Sequence, residues 1–285
     1  MNPILLSFSD GTTFFVGLAL VVAAEGLLFW FRNRIARPIL TVLAIIGVVL
    51  VIISATPLPI WAYAIWTIPA AAGIVLWNLS QPPPRACSVC GIAILLATLG
   101  LLFAEAPSHR HPTLAVPKGT TVYVLGDSIS AGMGTKDRCW PAVLAEMTPL
   151  RIVNLAQPGA TVASAIVQAR GVSEPRSLVV VEIGGNDLLG NADASVFHSN
   201  LDTLVSSLCS NRHRVLLLEL PLFPFQNAFG QAQREVAAKY GVAMLPKRDF
   251  ARVLGTANGT LDGLHLSQAG HDAMARIMAE TIQER

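Results

Sequence analysis

The chain has 285 residues, of which 53% are hydrophobic and 13% are charged, and its formal net charge at pH 7 is +2. Soluble domains are typically about 45–50% apolar and about 25% charged, so this composition excludes a wholly soluble protein. The low net charge and the lack of a lysine- and arginine-rich run give no reason to expect nucleic acid as a partner.

The apolar excess lies before Ala106, where four stretches approach the roughly 20 apolar residues that cross a bilayer as a helix. These stretches run from Thr12 to Phe31, from Ile39 to Ile53, from Ile60 to Leu79 and from Ser88 to Phe103. Pro57 and Pro59 separate the second from the third, because a proline removes a backbone donor and disfavours helix in the preceding residue. We therefore expect residues 1–105 to form a bundle of four transmembrane helices.

The arginines of the short loops predict how this bundle is oriented. Arg32, Arg34 and Arg37 follow the first stretch, and Arg85 precedes the fourth. With four spans they all fall on one side, which the positive-inside rule assigns to the cytoplasm. The N-terminus and everything after the fourth span then lie outside the cytoplasm.

Two features of the membrane region have alternative interpretations. Glu25 lies inside the first predicted span, where an acid is costly. It marks a functional site, or it faces a neighbouring helix or reaches towards the membrane surface. Cys87 and Cys90 have the spacing of a redox or metal site but lack a second ligand pair, so they also fit as small residues at a helix start.

Residues 106–119 contain prolines and histidines without periodicity and read as a linker, and residues 120–285 read as one globular domain. Predicted strands in this domain cover Thr121–Leu125, Arg151–Leu155, Leu178–Ile183, Arg214–Leu220 and Val242–Leu245. Predicted helices cover Trp140–Met147, Val162–Arg170, Ser195–Cys209, Ala228–Tyr240 and Ser267–Gln283. This alternation indicates an α/β domain with a parallel sheet between two helical layers.

Cys139 and Cys209 could form a disulfide in an oxidising compartment, which sequence alone does not decide.

Polar and flexible residues follow the predicted strands or precede the last helix. Ser128 follows the first strand, Gly159 the second and Asn186 the third, and the Asp262–His265 segment precedes the closing helix. Right-handed crossovers bring the carboxyl ends of parallel strands to one edge of the sheet, so we expect these residues to converge. A nucleophile, a base, an orienting acid and oxyanion donors are what acyl transfer requires. Taken singly, Ser128 and Asn186 also fit as helix caps.

This part of the chain resembles the SGNH (GDSL-like) hydrolases, which are named after a serine, a glycine, an asparagine and a histidine. Ser128, Gly159, Asn186 and His265 stand in that order. The segments most similar to the bacterial periplasmic thioesterase and lysophospholipase group are Val124–Gly132, Trp140–Leu144 and Val181–Asp187, and the likeness extends from Thr121 to Ile282.

The resemblance implies the SGNH hydrolase fold, a flavodoxin-like three-layer α/β sheet, here preceded by the helical transmembrane bundle. The four predicted spans and their orientation, taken with the likeness to this bacterial periplasmic group, predict a multi-pass protein of the bacterial inner membrane whose catalytic domain is periplasmic. Two positions depart from the family pattern. Ile129 replaces the usual leucine, and Leu266 replaces a proline that many members have after the histidine, so we expect a less rigid loop around His265.

The matched residues imply a catalytic mechanism. Ser128 is the expected nucleophile, His265 its general base and Asp262 the acid that orients the imidazole. The oxyanion hole would consist of the Ser128 and Gly159 backbone N–H groups and the Asn186 side-chain amide. We expect Asp127 to brace the turn through local hydrogen bonds. His271 is a rival base, but it has no acid three residues before it.

The leading hypothesis is therefore a membrane-anchored esterase, thioesterase or lysophospholipase that needs no metal or cofactor. One alternative is an O-acetylesterase or acyltransferase acting on a cell-envelope glycan. Another is a non-catalytic membrane scaffold or sensor. The aromatic segment Leu222–Phe229 would line an acyl groove or pack inside the domain. The sequence predicts an acyl ester and the bilayer as partners and leaves the oligomeric state open.

Overall fold

The computed structural model describes residues 3–30, 36–133 and 138–285. The chain divides into two compact units. The unit that contains the predicted spans comprises Gly11–His109 and Phe223–Asn227 and is called the membrane unit below. The unit that contains the segment resembling the hydrolases comprises Met1–Asp10, Arg110–Leu222 and Ala228–Arg285 and is called the hydrolase unit.

The membrane unit contains the predicted spans. After a short helix α1 at Pro3–Ser9, the long helices are α2 (Thr12–Trp30), α3 (Ala36–Ile53), α4 (Ile60–Trp77) and α5 (Pro84–Glu105). Within the described residues, four helices are long and apolar enough to cross a membrane, judged by length and composition. The break at Pro57 and Pro59 is confirmed, because the chain is non-helical between Ile53 and Ile60. Arg32 and Arg34 lie outside the described residues, so the orientation stays a prediction.

Small residues let α2 and α3 pack closely. A Cβ atom added at Gly17 would lie 2.7 Å from the Gly47 carbonyl oxygen, a distance that real Cβ atoms essentially never show. Such contacts between small residues are a common way for apolar helices to associate in lipid. On α4, the buried Trp66 donates from Nε1 to Thr98 Oγ1 of α5 at 2.8 Å, so an interhelical hydrogen bond supplements the apolar packing.

The hydrolase unit has the predicted α/β architecture. Its strands are β1 (Leu114–Val116), β2 (Thr121–Gly126), β3 (Arg151–Asn154), β4 (Leu178–Glu182), β5 (Arg214–Leu218), β6 (Ala243–Leu245) and β7 (Ile282–Glu284). Its helices after the membrane unit are α6 (Ser128–Ala131), α7 (Trp140–Met147), α8 (Val162–Gln168), α9 (Gly185–Leu189), α10 (Ala194–Ser210), α11 (Asn227–Tyr240), α12 (Lys247–Leu254) and α13 (Gln268–Thr281). The main sheet is parallel, with strand order β3-β2-β4-β5-β6.

The predicted linker carries regular structure of its own. Residues 106–109 form a 3₁₀ turn, and β1 pairs in parallel with β7 at the end of the chain. The boundaries 1–105, 106–119 and 120–285 stay a prediction. The pairing of β1 with β7 adds a short second sheet to the hydrolase unit.

Every residue of β2 and β4 is buried, as expected for central strands covered by helices on both faces. The two strands run parallel, with Gly126 opposite Glu182, so both end at the same edge of the sheet. The residues that follow Gly126 and Glu182 are the ones the sequence predicts to carry the chemistry.

Candidate active site

The predicted nucleophile begins helix α6 directly after β2. Asp127 is the N-cap residue, and its Oδ1 accepts a hydrogen bond from the Ile129 N–H at 2.9 Å, so its predicted bracing role in the turn is confirmed. Ser128 is the first helical residue and is half-buried. In the described part of the chain, its backbone N–H donates to no protein acceptor.

Asn186 lies in helix α9, which begins just after β4. Gly184 precedes the helix at φ 116°, in a conformation that L side chains rarely adopt, and a Cβ there would lie 2.8 Å from Leu220. The Asn186 side-chain amide donates to Asp127 Oδ2 at 3.1 Å and to the Ala160 carbonyl at 2.9 Å. These bonds tie the loop after β4 to the nucleophile turn and to the segment after β3.

Gly159 lies in that segment after β3, at φ 74°. A Cβ atom there would meet nothing within 4 Å, so the glycine is required by its backbone conformation and not by close approach of another group. The Gln157 N–H donates to the Gly126 carbonyl at 3.0 Å, and Asp187 Oδ2 accepts from the Val162 N–H at 3.0 Å. Among the described residues, the Gly159 N–H itself has no protein acceptor.

The Asp262–His265 segment forms a closed hydrogen-bonded turn. His265 Nδ1 lies 2.7 Å from Asp262 Oδ2, while Asp262 Oδ1 accepts from the backbone N–H of His265 at 2.8 Å. These hydrogen bonds hold the pKa of Asp262 well below its usual range. The carboxylate therefore stays ionised at neutral pH and selects the tautomer in which Nδ1 carries the proton, which leaves the Nε2 lone pair available as a base.

The loop around His265 is braced despite its departure from the family pattern. Leu266 is buried in the domain core, and it forms an isolated antiparallel bridge with Thr260. The Leu261 N–H donates to the His265 carbonyl at 2.8 Å. Backbone pairing and side-chain burial thus constrain this loop, although it lacks the proline that many members of the family have.

The structure relates His265 to the nucleophile turn through electrostatics. In the described part of the chain, no hydrogen bond joins the Ser128 hydroxyl to the His265 imidazole. Burial raises the pKa of Asp127 to about 6, and the charge of His265 offsets part of this rise. His265 therefore acts electrostatically on the residue next to Ser128. Catalytic hydrogen bonds are often long before substrate binds, so this geometry is compatible with a serine–histidine pair.

Buried acids form a layer beneath the predicted nucleophile. Glu182 accepts from the Ser130 hydroxyl at 2.8 Å, and the Trp140 indole N–H in turn donates to Ser130 Oγ at 3.1 Å. Burial, and next the charge of Asp127, raise the pKa of Glu182 well above its usual value. Burial likewise raises the pKa of Asp187. Glu182 and Asp187 thus have a structural role, because their hydrogen bonds hold Ser130 and the Val162 N–H next to the turn.

Gln168 is a positioning residue that sequence reasoning missed. Its side-chain amide accepts from the Gly126 N–H at 3.0 Å and donates to the Gly126 carbonyl at 2.9 Å. It therefore satisfies both backbone groups at the end of β2, just before Asp127. No sequence signal marks this glutamine, because it lies on an ordinary amphipathic helix 42 residues away along the chain.

The rival base His271 has a structural place in the fold. It is 1% exposed, on α13, and its Nδ1 accepts from the backbone N–H of Trp140 at 3.2 Å. A ring nitrogen that accepts a hydrogen bond at a helix start inside the core is not available to a substrate.

Cys139 and Cys209 are both free thiols, so the structure contains no disulfide between them.

The aromatic segment after β5 divides between core and surface. Leu222 is buried, and the Phe229 ring packs 4.9 Å from that of Phe197 inside the hydrolase unit. Phe223 and Phe225, by contrast, are exposed and belong to the membrane unit. Packing therefore accounts for both ends of the segment, and only its middle is free to line a groove.

Comparisons with known proteins point to one family. Residues 124–273 match the model of the GDSL-like Lipase/Acylhydrolase family. The esterase TesA of Pseudomonas aeruginosa is 29% identical over 178 residues, which cover 57% of this chain and 88% of that protein. A crystal structure of TesA is similar with a TM-score of 0.50 at 28% identity, over 57% of this chain and 97% of that one. The esterase EstA from Pseudoalteromonas sp. shares the fold with a TM-score of 0.51 at 20% identity, over 57% of this chain and 96% of that one.

Proposed function

Because this chain belongs to the GDSL-like lipase and acylhydrolase family and hydrolyses ester bonds, we propose that it cleaves acyl esters of membrane amphiphiles through an acyl-enzyme on Ser128. The observation that carries the proposal is the Asp262–His265 pair, whose 2.7 Å contact presets the imidazole as a base. Two further observations support it. The Ser128 and Gly159 N–H groups have no protein acceptor within the described residues, and the Asn186 amide is fixed beside Asp127.

In the proposed mechanism, His265 Nε2 takes the proton of the Ser128 hydroxyl as Oγ attacks the ester carbonyl carbon. The carbonyl oxygen becomes an oxyanion held by the Ser128 and Gly159 N–H groups and by Asn186 Nδ2. One Asn186 N–H keeps its 2.9 Å bond to the Ala160 carbonyl, and the other exchanges its longer contact with Asp127 for the oxyanion. His265 then protonates the departing alkoxide, and water hydrolyses the acyl-enzyme by the same steps.

The substrate class follows from the side chains that flank the predicted catalytic residues. Leu264 adjoins His265, Leu189 follows Asn186 by three residues, and Met133 follows Ser128 by five. All three side chains are exposed on the hydrolase unit. We infer that they contact a hydrocarbon acyl chain. The membrane helices would bring the enzyme to substrates held in the bilayer.

We further propose that the hydrolase unit lies on the periplasmic face of a bacterial inner membrane. The four candidate spans, together with Arg37 and Arg85 at the starts of the second and the fourth, support this placement. An even number of spans puts both chain ends on the side opposite these arginines. A fusion of alkaline phosphatase after Arg285 should be active, because that enzyme requires export. An inactive but intact fusion would contradict this placement.

The function is tested with the full-length protein in detergent and p-nitrophenyl esters of increasing acyl length. Activity should rise from acetyl to medium-chain esters and disappear in Ser128→Ala. Ser207→Ala, at an exposed serine on α10, is the matched control and should retain activity. An acetylated sugar assayed beside a lysophospholipid separates the glycan alternative from the lipid one. Hydrolysis that persists in Ser128→Ala would refute the assignment of the nucleophile.

A further inference from the structure

We propose that the membrane unit contains a second site, which binds the ammonium group of an amphiphile and has Glu25 as its polar anchor. This site is independent of the proposed ester hydrolysis. Glu25 lies on α2 and is only 5% exposed. Within the described residues, neither of its carboxylate oxygens accepts a hydrogen bond. A buried carboxylate without donors is unfavourable in a medium of low dielectric constant, which makes an acid inside a membrane helix a candidate binding group.

The surroundings of Glu25 supply apolar contact and little polar compensation. A Cβ atom added at Gly73 of α4 would lie 2.8 Å from Oε1, so the carboxylate rests against the α4 backbone. The Trp77 indole is the neighbouring donor, but it does not make a hydrogen bond of ordinary geometry with the carboxylate. Gly73 and Trp77 therefore shape one wall around the acid and leave its acceptor capacity unused.

Glu25 lines a cavity of about 430 Å³ between α2, α4 and α5. This volume is within the range of about 300–1,000 Å³ that is typical of small-molecule sites. The other walls include Val22, Phe29, Ser88, Gly91 and Leu95. Apart from the acid, this lining is almost entirely apolar, which suits the hydrocarbon part of an amphiphile.

The cavity lies near one end of the bundle. Glu25 is five residues before the end of α2 at Trp30, which corresponds to about 8 Å along a helix. Ser88 lies in the second turn of α5, close to the helix start at Pro84. An amphiphile whose head lies at this depth places its polar group beside Glu25 and its chain along Val22 and Leu95.

The chemistry of the acid selects the head group. A carboxylate only accepts hydrogen bonds, so the bound group must donate. A primary ammonium donates and also neutralises the charge, and charge-assisted bonds are roughly twice as strong as neutral ones. An alcohol offers the donor without the charge, and a carboxylate head group offers neither. A primary alkylammonium is therefore the preferred occupant.

The test uses the full chain in phosphatidylcholine vesicles, because the trimethylammonium head of that lipid has no N–H to donate. A diazirine-bearing dodecylamine is the photoprobe, and labelled peptides are quantified by mass spectrometry. We expect labels on peptides of α2 and α5. Unlabelled dodecylamine should compete at least about tenfold better than dodecanol, and dodecanoate should compete least.

Variants identify the anchor and the cavity. Glu25→Gln should remove the preference for dodecylamine over dodecanol. Gly91→Leu should block labelling, because its Cβ meets nothing within 4 Å and the side chain projects into the cavity without a clash. Gly100→Leu is the matched control, since Gly100 lies on the same helix with equally open surroundings and away from the cavity.

Two outcomes overturn the proposal. One is equal competition by dodecylamine and dodecanol on the unmodified protein. The other is labelling that persists in Gly91→Leu while Gly100→Leu behaves normally. If Glu25→Gln does not elute as a single species in size-exclusion chromatography, the competition series and the Gly91→Leu and Gly100→Leu pair decide the question between them.

Discussion

The buried acids Glu182 and Glu219 of the hydrolase unit differ from Glu25 of the membrane unit in their hydrogen bonds. In the hydrolase unit, Glu182 accepts from Ser130, and Glu219 accepts from the Arg234 guanidinium at 2.7 Å. In the membrane unit, Glu25 is similarly buried but accepts no hydrogen bond within the described residues. Buried polar groups with partners fix a geometry, whereas one without partners offers binding capacity. The comparison assigns positioning to Glu182 and Glu219 and ligand binding to Glu25.

The largest expected effect is on the proposed chemistry of the hydrolase unit. His265→Ala should lower kcat for p-nitrophenyl esters at least about 10³-fold, because the general base is lost. His271→Ala should mainly lower the melting temperature, because His271 supports the start of α7 through the Trp140 N–H. If a folded His271→Ala protein lost most of its kcat while His265→Ala stayed active, His271 would be the general base and His265 a structural residue.

Asn186 connects the oxyanion site to the acid layer and should give the next largest effect. Asn186→Ala should lower kcat by about 10²–10³-fold with little change in KM, because the donor acts mainly in the transition state. Asn186→Asp is the informative companion, since it keeps the shape but removes the donor and adds a charge beside Asp127. Steady-state kinetics with one ester checks both variants. A change confined to KM would contradict the oxyanion role.

A matched pair of substitutions tests the comparison between the units directly. Glu182→Leu should destabilise the protein by several kcal/mol, because it leaves the buried Ser130 hydroxyl without its acceptor. Glu25→Leu should be neutral or stabilising, because within the described residues no donor makes a hydrogen bond of ordinary geometry to this carboxylate. Thermal unfolding of both full-length variants in the same detergent measures the difference. Equal destabilisation would mean that Glu25 has a structural partner after all.

The pH dependence of stability tests the acid layer further. Burial raises the pKa of Asp127 to about 6 in the folded protein, from an ordinary value near 3.8. Below pH 4 both states bind the proton. Between about pH 4 and 6 only the folded state does, so this group's contribution to stability falls as pH rises. Asp127→Asn should remove up to about 3 kcal/mol of this decline. Melting temperatures of the variant and the unmodified protein, compared from pH 4 to 7, check the difference in slope.

The sequence was sufficient to predict the fold and the candidate residues where local pattern and topology agree. Buried β2 and β4 are continuous apolar runs, and parallel pairing brings the residues after them to one edge. The two hydrogen bonds between the Gln168 side-chain amide and the Gly126 backbone were not predictable, because they join a helix to a strand end through one side chain. That Glu25 accepts no hydrogen bond from the described residues was not predictable either, because it depends on the packing of α4 against α2.

Substitution of Gly159 has the smallest expected effect, and Gly241 offers a closely matched control position. Its φ of 74° makes any L residue strained, while the space around it is open. Gly159→Ala should therefore lower stability by about 1–2 kcal/mol through the backbone alone. Gly241 has φ 61° and equally open surroundings outside the site, so Gly241→Ala should give a similar loss of stability. Only Gly159→Ala should also lower kcat, because only there does the backbone N–H serve the oxyanion; equal kcat in the two variants would remove Gly159 from the oxyanion hole.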